Sequence, residues 1–177
     1  MVETVYLGLG SSLGDRVAHL RNACTALRAL CADPTLFVAA TVYETPHMRL
    51  NPADTTLYPD HLNTVVRLET ELAPEALLEA IHEIERNCGR IREPGQRWQP
   101  RTLDIDILLF GDRQLHTSSL VVPHPGIADR RFVLQPLLDL LPDYRLADGR
   151  LASERLADPE ILSQVIKSTA HADELLL

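Results

Sequence analysis

Several things are missing from this chain of 177 residues. No apolar run approaches the ~20 residues that a membrane-spanning helix needs, and the opening MVETVYLGLG has no basic stretch followed by a long hydrophobic one. A membrane protein and a secreted one are therefore not expected. Positive charge is scarce: Lys and Arg number 17 against 25 Asp and Glu, a net charge of −8. With a pI near 5.3, nucleic acid is excluded as the main partner, because a polyanion demands a basic surface. A small phosphate ligand held by local arginines is not excluded. Lys167 is the only lysine, so almost every cation is an arginine. Cysteine is sparse and odd in number (Cys24, Cys31, Cys88), which fits a reducing cytoplasm better than a disulfide framework. Internal repeats, low-complexity tracts and linkers are absent, as is any Ser/His/Asp or Cys/His order suggestive of a covalent nucleophile.

With 45% hydrophobic and 24% charged residues the composition is that of a globular protein, and the length suits one domain over residues 1–177. Val5 to Gly10 reads as a first strand, closed by the turn SSLGD. Asp15 is placed to cap a helix whose apolar stripe is Val17, Leu20, Cys24, Leu27 and Cys31. Thr35 to Pro46 is rich in β-branched and aromatic residues and predicts one strand; His61 to Thr70 predicts another. Between them, residues 46–60 form a loop long enough to suggest binding. A second helix starts at Pro74, buries Leu77, Leu78, Ile81, Ile84 and Cys88, and stops at Gly89. His82 and Glu85 project from the flank of that stripe, which on its own reads as a solvated helix flank. Beyond the strand at 103–110, Gln114 to Pro123 reads as extended, Ile127 to Leu141 as a helix broken near Pro136, and Ala147 to Arg150 as a hairpin turn. A last helix opens near Pro159. The order is that of an α+β, ferredoxin-like β-α-β-β-α-β core, an antiparallel sheet with two helices on one face and C-terminal additions.

The chain is organised around RWQPRTLDIDILLFG, Arg97 to Gly111. Alternation puts Leu103, Ile105, Ile107 and Leu109 on one face of a strand, and Asp104, Asp106, Leu108 and Phe110 on the other. Two carboxylates with Cα atoms roughly 6.5 Å apart repel each other at the rim of a core and call for a cation. Arg90, Arg92, Arg97 and Arg101 crowd the approach and could pair with them as a structural network. Alternatively Mg²⁺ binds the two aspartates and the arginines hold phosphate oxygens.

Q-P-R-T-L-D-I-D-I-L-L-F-G, preceded by R-W, resembles the signature of the 6-hydroxymethyl-7,8-dihydropterin pyrophosphokinases of folate biosynthesis. YLGLGSSLGDR, Y-E-T-P, LNTVVRLET, G-R-I-R and V-P-H-P…D-R-R-F extend the resemblance, in family order, over about residues 3 to 150. The resemblance implies transfer of the terminal diphosphate of ATP to the pterin hydroxymethyl group, with release of AMP. It implies two Mg²⁺ ions on Asp104 and Asp106, with Arg90 and Arg101 acting beside them. Glu85, Arg92, Arg97, Trp98, Arg101, Ile107, His124 and Arg130 would serve the nucleotide, and Arg90 and Trp98 would lie on a loop that closes over the site. Thr45, Pro46, Met48, His61, Asn63 and Phe132 would serve the pterin, Asn63 at the ring edge and Phe132 on one face. Residues 46–60 and 90–100 are expected to order when both substrates bind.

His61 stands where the family usually has an aromatic residue, and His82, Ser119, Val121 and Pro125 depart on the nucleotide side. Loop 46–60 also runs a few residues longer than in short members. His61, titrating near neutral pH, would make pterin binding weaken in acid, unless Tyr58 supplies that ring face instead. Two rival readings are a two-metal nucleotidyl transferase on the same fold, which has no use for Asn63 and Phe132, and a non-catalytic binding module. An RNA-binding module is disfavoured by the net charge and by the lack of exposed aromatics on the central strands.

Overall fold

The computed structural model describes residues 1–47, 58–90, 100–170 and 175. Strand β1 (Glu3–Ser11) leads into α1 (Arg16–Arg28), a 3₁₀ turn (Pro34–Leu36), β2 (Val38–Ala39), β3 (Val42–Thr45) and β4 (His61–Thr70). Helix α2 (Pro74–Asn87), β5 (Asp104–Phe110), β6 (Leu115–His116), β7 (Val121–Val122) and α3 (Arg131–Leu140) follow. Two short helices, α4 (Ala152–Leu156) and α5 (Pro159–Leu162), precede a last strand, β8 (Lys167–Ala170). None of the described helices is long and apolar enough to cross a membrane.

The main sheet is six-stranded, in the order β5-β1-β4-β3-β8, with β2 also on β4. Its pairings are antiparallel. The first and third strands of the β-α-β-β-α-β core, β1 and β4, take the centre as the ferredoxin-like topology requires. Helices α1 and α2 cover one face, where Leu20, Leu27, Leu77 and Ile81 pack with Leu7, Val66 and Ile107. The opposite face is not left bare. Leu134 and Leu137 of α3, Ala152 of α4 and Ile161 of α5 pack there with Val65 and Leu108.

Asp15 caps α1, its carboxylate accepting the Ala18 N–H at 3.0 Å, and Gly89 beyond α2 takes φ +79°, a conformation that favours glycine. Val17, placed by its spacing in the α1 stripe, is instead exposed, and Ala23 takes a buried position there. The stretch 35–46 divides into the 3₁₀ turn, β2 and β3 rather than forming one strand: Pro34 fixes the turn at its start, and a break at residues 40–41 separates β2 from β3. Residues 114–123 fold into the β6–β7 hairpin, and α3 begins at Arg131, four residues after Ile127. The predicted hairpin turn is present, with Arg145 bridged to Leu151 and Gly149 at φ +85°.

Strand β5 departs from simple alternation. The β1–β5 register shifts between Tyr6 and Leu7, so Tyr6 pairs with Leu109 and Leu7 with Ile107. The extra residue turns the strand over. Leu109 therefore joins Leu108 on the α3 face, and Phe110 joins Ile105 and Ile107 on the α1/α2 face, the reverse of what strict alternation predicts.

Candidate active site

The site lies at the end of the sheet where β1 finishes and β5 begins, partly on the α3 face and partly round the β5 edge toward α2. Its floor is glycine: Gly8 and Gly10 lie inside β1, not in a turn beyond it. Gly10 pairs with Asn63 of β4 and Asp104 of β5, and Gly8 with Val65 and Asp106. A Cβ at Gly10 would stand 3.3 Å from Asn63 Oδ1, so a larger residue would crowd the very amide the site presents.

Asp104 is answered by two arginines. Arg90 Nη1 donates to its Oδ1, and Arg101 Nη1 lies 3.2 Å from Oδ2. Arg90 is held in turn by Glu85, whose Oε1 also accepts the Ile105 N–H at 2.9 Å. Glu85 is thus no solvated helix residue. It is 1% exposed, a carboxylate brought inside α2 to fix Arg90 and the start of β5 together. Asp106 fares differently. Burial first, and the neighbouring Asp104 carboxylate second, push its pKa up to about 6, against the pull of Arg130 and Arg101. Asp104 thus has two arginines against it, whereas Asp106 keeps a carboxylate that burial and its neighbour make costly to ionise. Among the described residues no three Asp, Glu, His or Cys side chains gather to hold a metal. Two hard carboxylates, with no further ligand among the described residues, suit a divalent ion that takes its remaining oxygens from phosphate and water.

Two cavities meet at this pair. One is lined by Thr45, Pro46, His61, Asn63 and Phe132. The other is lined by Arg90, Ile107, His82, Ser119, Val121 and Pro125. Asp104, Asp106, Arg101, His124 and Arg130 line both. Asn63 is 8% exposed, and its Nδ2 donates to Thr45 Oγ1 at 2.9 Å. His124 Nδ1 accepts the Gly126 N–H at 3.0 Å, which leaves Nε2 to carry the proton of the neutral ring. Burial, then Arg130, lowers the His124 pKa.

His61 has company that the sequence did not announce. Its Nε2 lies 2.9 Å from His47 Nδ1, and the two rings stack with centroids 5.1 Å apart. Tyr58 stacks on His47 at 4.2 Å. Burial, then His47 and Arg101, lower the His61 pKa to about 4, so it does not titrate near neutral pH as the free residue would. Ser12 is the other unforeseen contributor: its Oγ accepts the Arg101 N–H at 3.0 Å, and its own N–H donates to the Arg101 carbonyl at 3.0 Å. Hydroxyls in a turn carry no sequence signal of such a long-range partner.

Glu85, Arg90, Arg101, Asp104, Asp106, Ile107, His124 and Arg130 are thus brought together, and so are Thr45, Pro46, His61, Asn63 and Phe132. Met48, Arg92, Arg97 and Trp98 lie outside the described residues, as do most of the two segments expected to order on binding.

The family model for 7,8-dihydro-6-hydroxymethylpterin-pyrophosphokinase (HPPK) matches residues 6–142. The chain belongs to this family. A Pseudomonas aeruginosa 2-amino-4-hydroxy-6-hydroxymethyldihydropteridine pyrophosphokinase is 43% identical over 157 residues, covering 89% of this chain and 92% of that one. The Bacillus subtilis protein of the same name is 40% identical over 140 residues, covering 79% of each. Among solved structures, Plasmodium falciparum HPPK-DHPS with pterin and p-hydroxybenzoate superposes with a TM-score of 0.66 at 15% identity, over 95% of this chain. The chain spans only 45% of that longer one. At that identity the likeness bears on the fold alone, and it agrees with the ferredoxin-like topology of the HPPK sheet.

Proposed function

We propose that this member of the HPPK family carries out the reaction its bacterial relatives are named for. It transfers diphosphate from ATP to the hydroxymethyl oxygen of 6-hydroxymethyl-7,8-dihydropterin, a step of folate biosynthesis. The observation that carries the proposal is the junction of two cavities on one pair of carboxylates, Asp104 and Asp106. A transfer between two substrates needs both to reach the same charged centre from different sides.

In this reading the pterin enters between His61 and Phe132. With Nδ2 committed to Thr45, the Asn63 amide still has its oxygen to read the amino edge of the ring. ATP occupies the second cavity, its phosphates toward Arg101, Arg130 and the Nε2–H of His124. Arg92, Arg97 and Trp98 complete the nucleotide side, and Met48 the pterin side. Two Mg²⁺ ions, held by Asp104 and Asp106, would supply charge neutralisation for the phosphates and the acceptor oxygen. Arg101 and Arg90 fix the Asp104 carboxylate, and Glu85 fixes Arg90. The hydroxymethyl oxygen attacks the β-phosphorus and gives up its proton to solvent. The bond from that phosphorus to the α,β-bridging oxygen breaks, and AMP leaves carrying that oxygen. Positioning and electrostatics suffice, with no covalent intermediate on the protein.

Residues 1–177 act as one domain, since β8 and the buried Leu175 belong to the same sheet and core as the matched region. One chain furnishes both cavities, which suits a monomer, and the three free cysteines suit the cytoplasm. The test is direct: incubate the protein with Mg²⁺, ATP and the hydroxymethyl-dihydropterin. AMP that forms only with the pterin present is the expected result; AMP formed without it, or ADP, would count against the reading.

A further inference from the structure

Arg16 is an odd choice for its place. It is the first residue of α1, directly after the Asp15 cap, and the first turn holds no acidic residue. A cation at a helix N-terminus opposes the helix dipole, so its presence there asks for another partner. That partner lies across the sheet. Arg16 Nη1 donates to Glu44 Oε1 at 2.9 Å and also to the Asp60 carbonyl at 2.8 Å. Both the Arg16 and Glu44 side chains are sheltered, at 29% and 27% exposure.

These two acceptors occupy particular positions. The β3–β4 ladder ends at the pair Thr45–His61. Glu44 immediately precedes Thr45 and Asp60 immediately precedes His61, and Thr45 and His61 both line the cavity assigned to the pterin. Side chains alternate along β3. Val42 packs into the α1/α2 face, whereas Tyr43 reaches Asp139 of α3 on the site face. Glu44 therefore turns toward α1, while Thr45 turns into the site. One guanidinium on the back of the sheet thus clamps both strands at the open end of their ladder, one residue before each wall of the cavity.

We infer that Arg16 is a positioning residue for the pterin side of the reaction. From behind, it fixes the separation of Thr45 and His61, and through the Asn63–Thr45 hydrogen bond the orientation of the ring-edge amide. Neither Arg16 acceptor touches the nucleotide cavity. The effect is consequently confined to one substrate. The inference rests on the assignment of that cavity to the pterin.

The test compares full-length parent, Arg16→Met, Arg16→Lys and Glu44→Gln. Kd for 6-hydroxymethyl-7,8-dihydropterin and for α,β-methylene-ATP, kcat at saturating pterin, and melting temperature are measured for each. Loss of two charge-assisted hydrogen bonds that only shape the pterin wall should raise the pterin Kd of Arg16→Met about tenfold. Its nucleotide Kd and saturated kcat should stay within about twofold of the parent. Arg16→Lys, which keeps a donor, should recover part of the loss, and Glu44→Gln, which removes the charge from the other end, should shift pterin binding in the same direction. An unchanged pterin Kd in folded Arg16→Met, or parallel losses for both substrates, would overturn the positioning role. If Arg16→Met does not fold, Glu44→Gln decides by the same criteria. A parent that forms no pterin-dependent AMP would overturn the pterin assignment itself, and this role with it.

Discussion

Asp104 and Asp106 differ in what holds them, and the difference sets what substitution should do. Asp104 is neutralised by Arg90 and Arg101, whereas Asp106 carries a burial cost and the repulsion of its neighbour. Asp104→Asn and Asp106→Asn should each lower turnover by about a hundredfold or more at saturating Mg²⁺. In the absence of metal and substrates, Asp106→Asn should melt above the parent, because it removes an ill-solvated charge, while Asp104→Asn should not gain. Thermal melts in a chelator and steady-state rates check both. His61 allows a pH test. Its folded pKa, about 4, lies below the usual histidine value, so the unfolded chain binds the extra proton first as pH falls. The contribution of neutral His61 to stability is present above about pH 6.5 and is lost as pH drops toward 4. His61→Phe should lose less stability than the parent between pH 7 and 4.5. Pterin affinity, by contrast, should show the same pH profile in parent and variant from pH 5.5 to 8, since His61 stays neutral there. A residue-61-dependent change within that range would contradict the buried, His47-bonded ring. The aspartate pair was legible from D-x-D among arginines. The inward turn of Glu85 was not, because a helix-flank carboxylate has the same spacing whether it meets water or a buried arginine.

At the scale of elements, periodicity located α1, α2 and β4 well, because each presents a continuous apolar face to the sheet. It failed at β5, where a bulge opposite Tyr6 and Leu7 exchanges the faces of Leu109 and Phe110. No run of side chains announces such an insertion, since both residues are apolar either way. It also gave no sign of β8, whose KSTA is too short and too polar to stand out. Its place is fixed by pairing with β3: Tyr43 with Ser168 and Glu44 with Lys167, while Thr169 Oγ1 donates to the Val42 carbonyl at 3.3 Å. Beyond it Leu175 is 1% exposed, in the same cluster as Val42 and Phe37. Leu175→Ala should therefore cost about 2–4 kcal/mol of stability, as removal of a buried leucine generally does. Its kcat should be retained, because the side chain lines neither cavity. Denaturant melts with a parallel rate assay check this. A loss under about 0.5 kcal/mol would mean that the C-terminal segment is not part of the core.

The whole molecule is a sheet with two functions divided between its faces. One face builds the core with α1 and α2; the other carries α3 and, at one end, the junction of two cavities. The ferredoxin-like order was readable from the sequence of elements, and helices were expected where α3 and α5 lie; that these, with α4, cover the second face of the sheet was not, since an amphipathic stripe shows that a helix packs but not on which face. The site was readable mainly where chemistry is concentrated in one stretch, from Arg90 to Asp106. Contributions from afar, such as Ser12 holding Arg101 and Arg16 holding Glu44, depend on the register of strands that only the fold sets. The central claim is that the acid pair directs the β,γ-diphosphate, and not the nucleotidyl group, onto the pterin. The most direct measurement is a single turnover with ATP labelled separately at the α- and γ-phosphates, followed by separation of the products. The γ label is expected in the pterin product and the α label in AMP. The α label on the pterin, or the γ label released as inorganic phosphate without a labelled pterin, would contradict it.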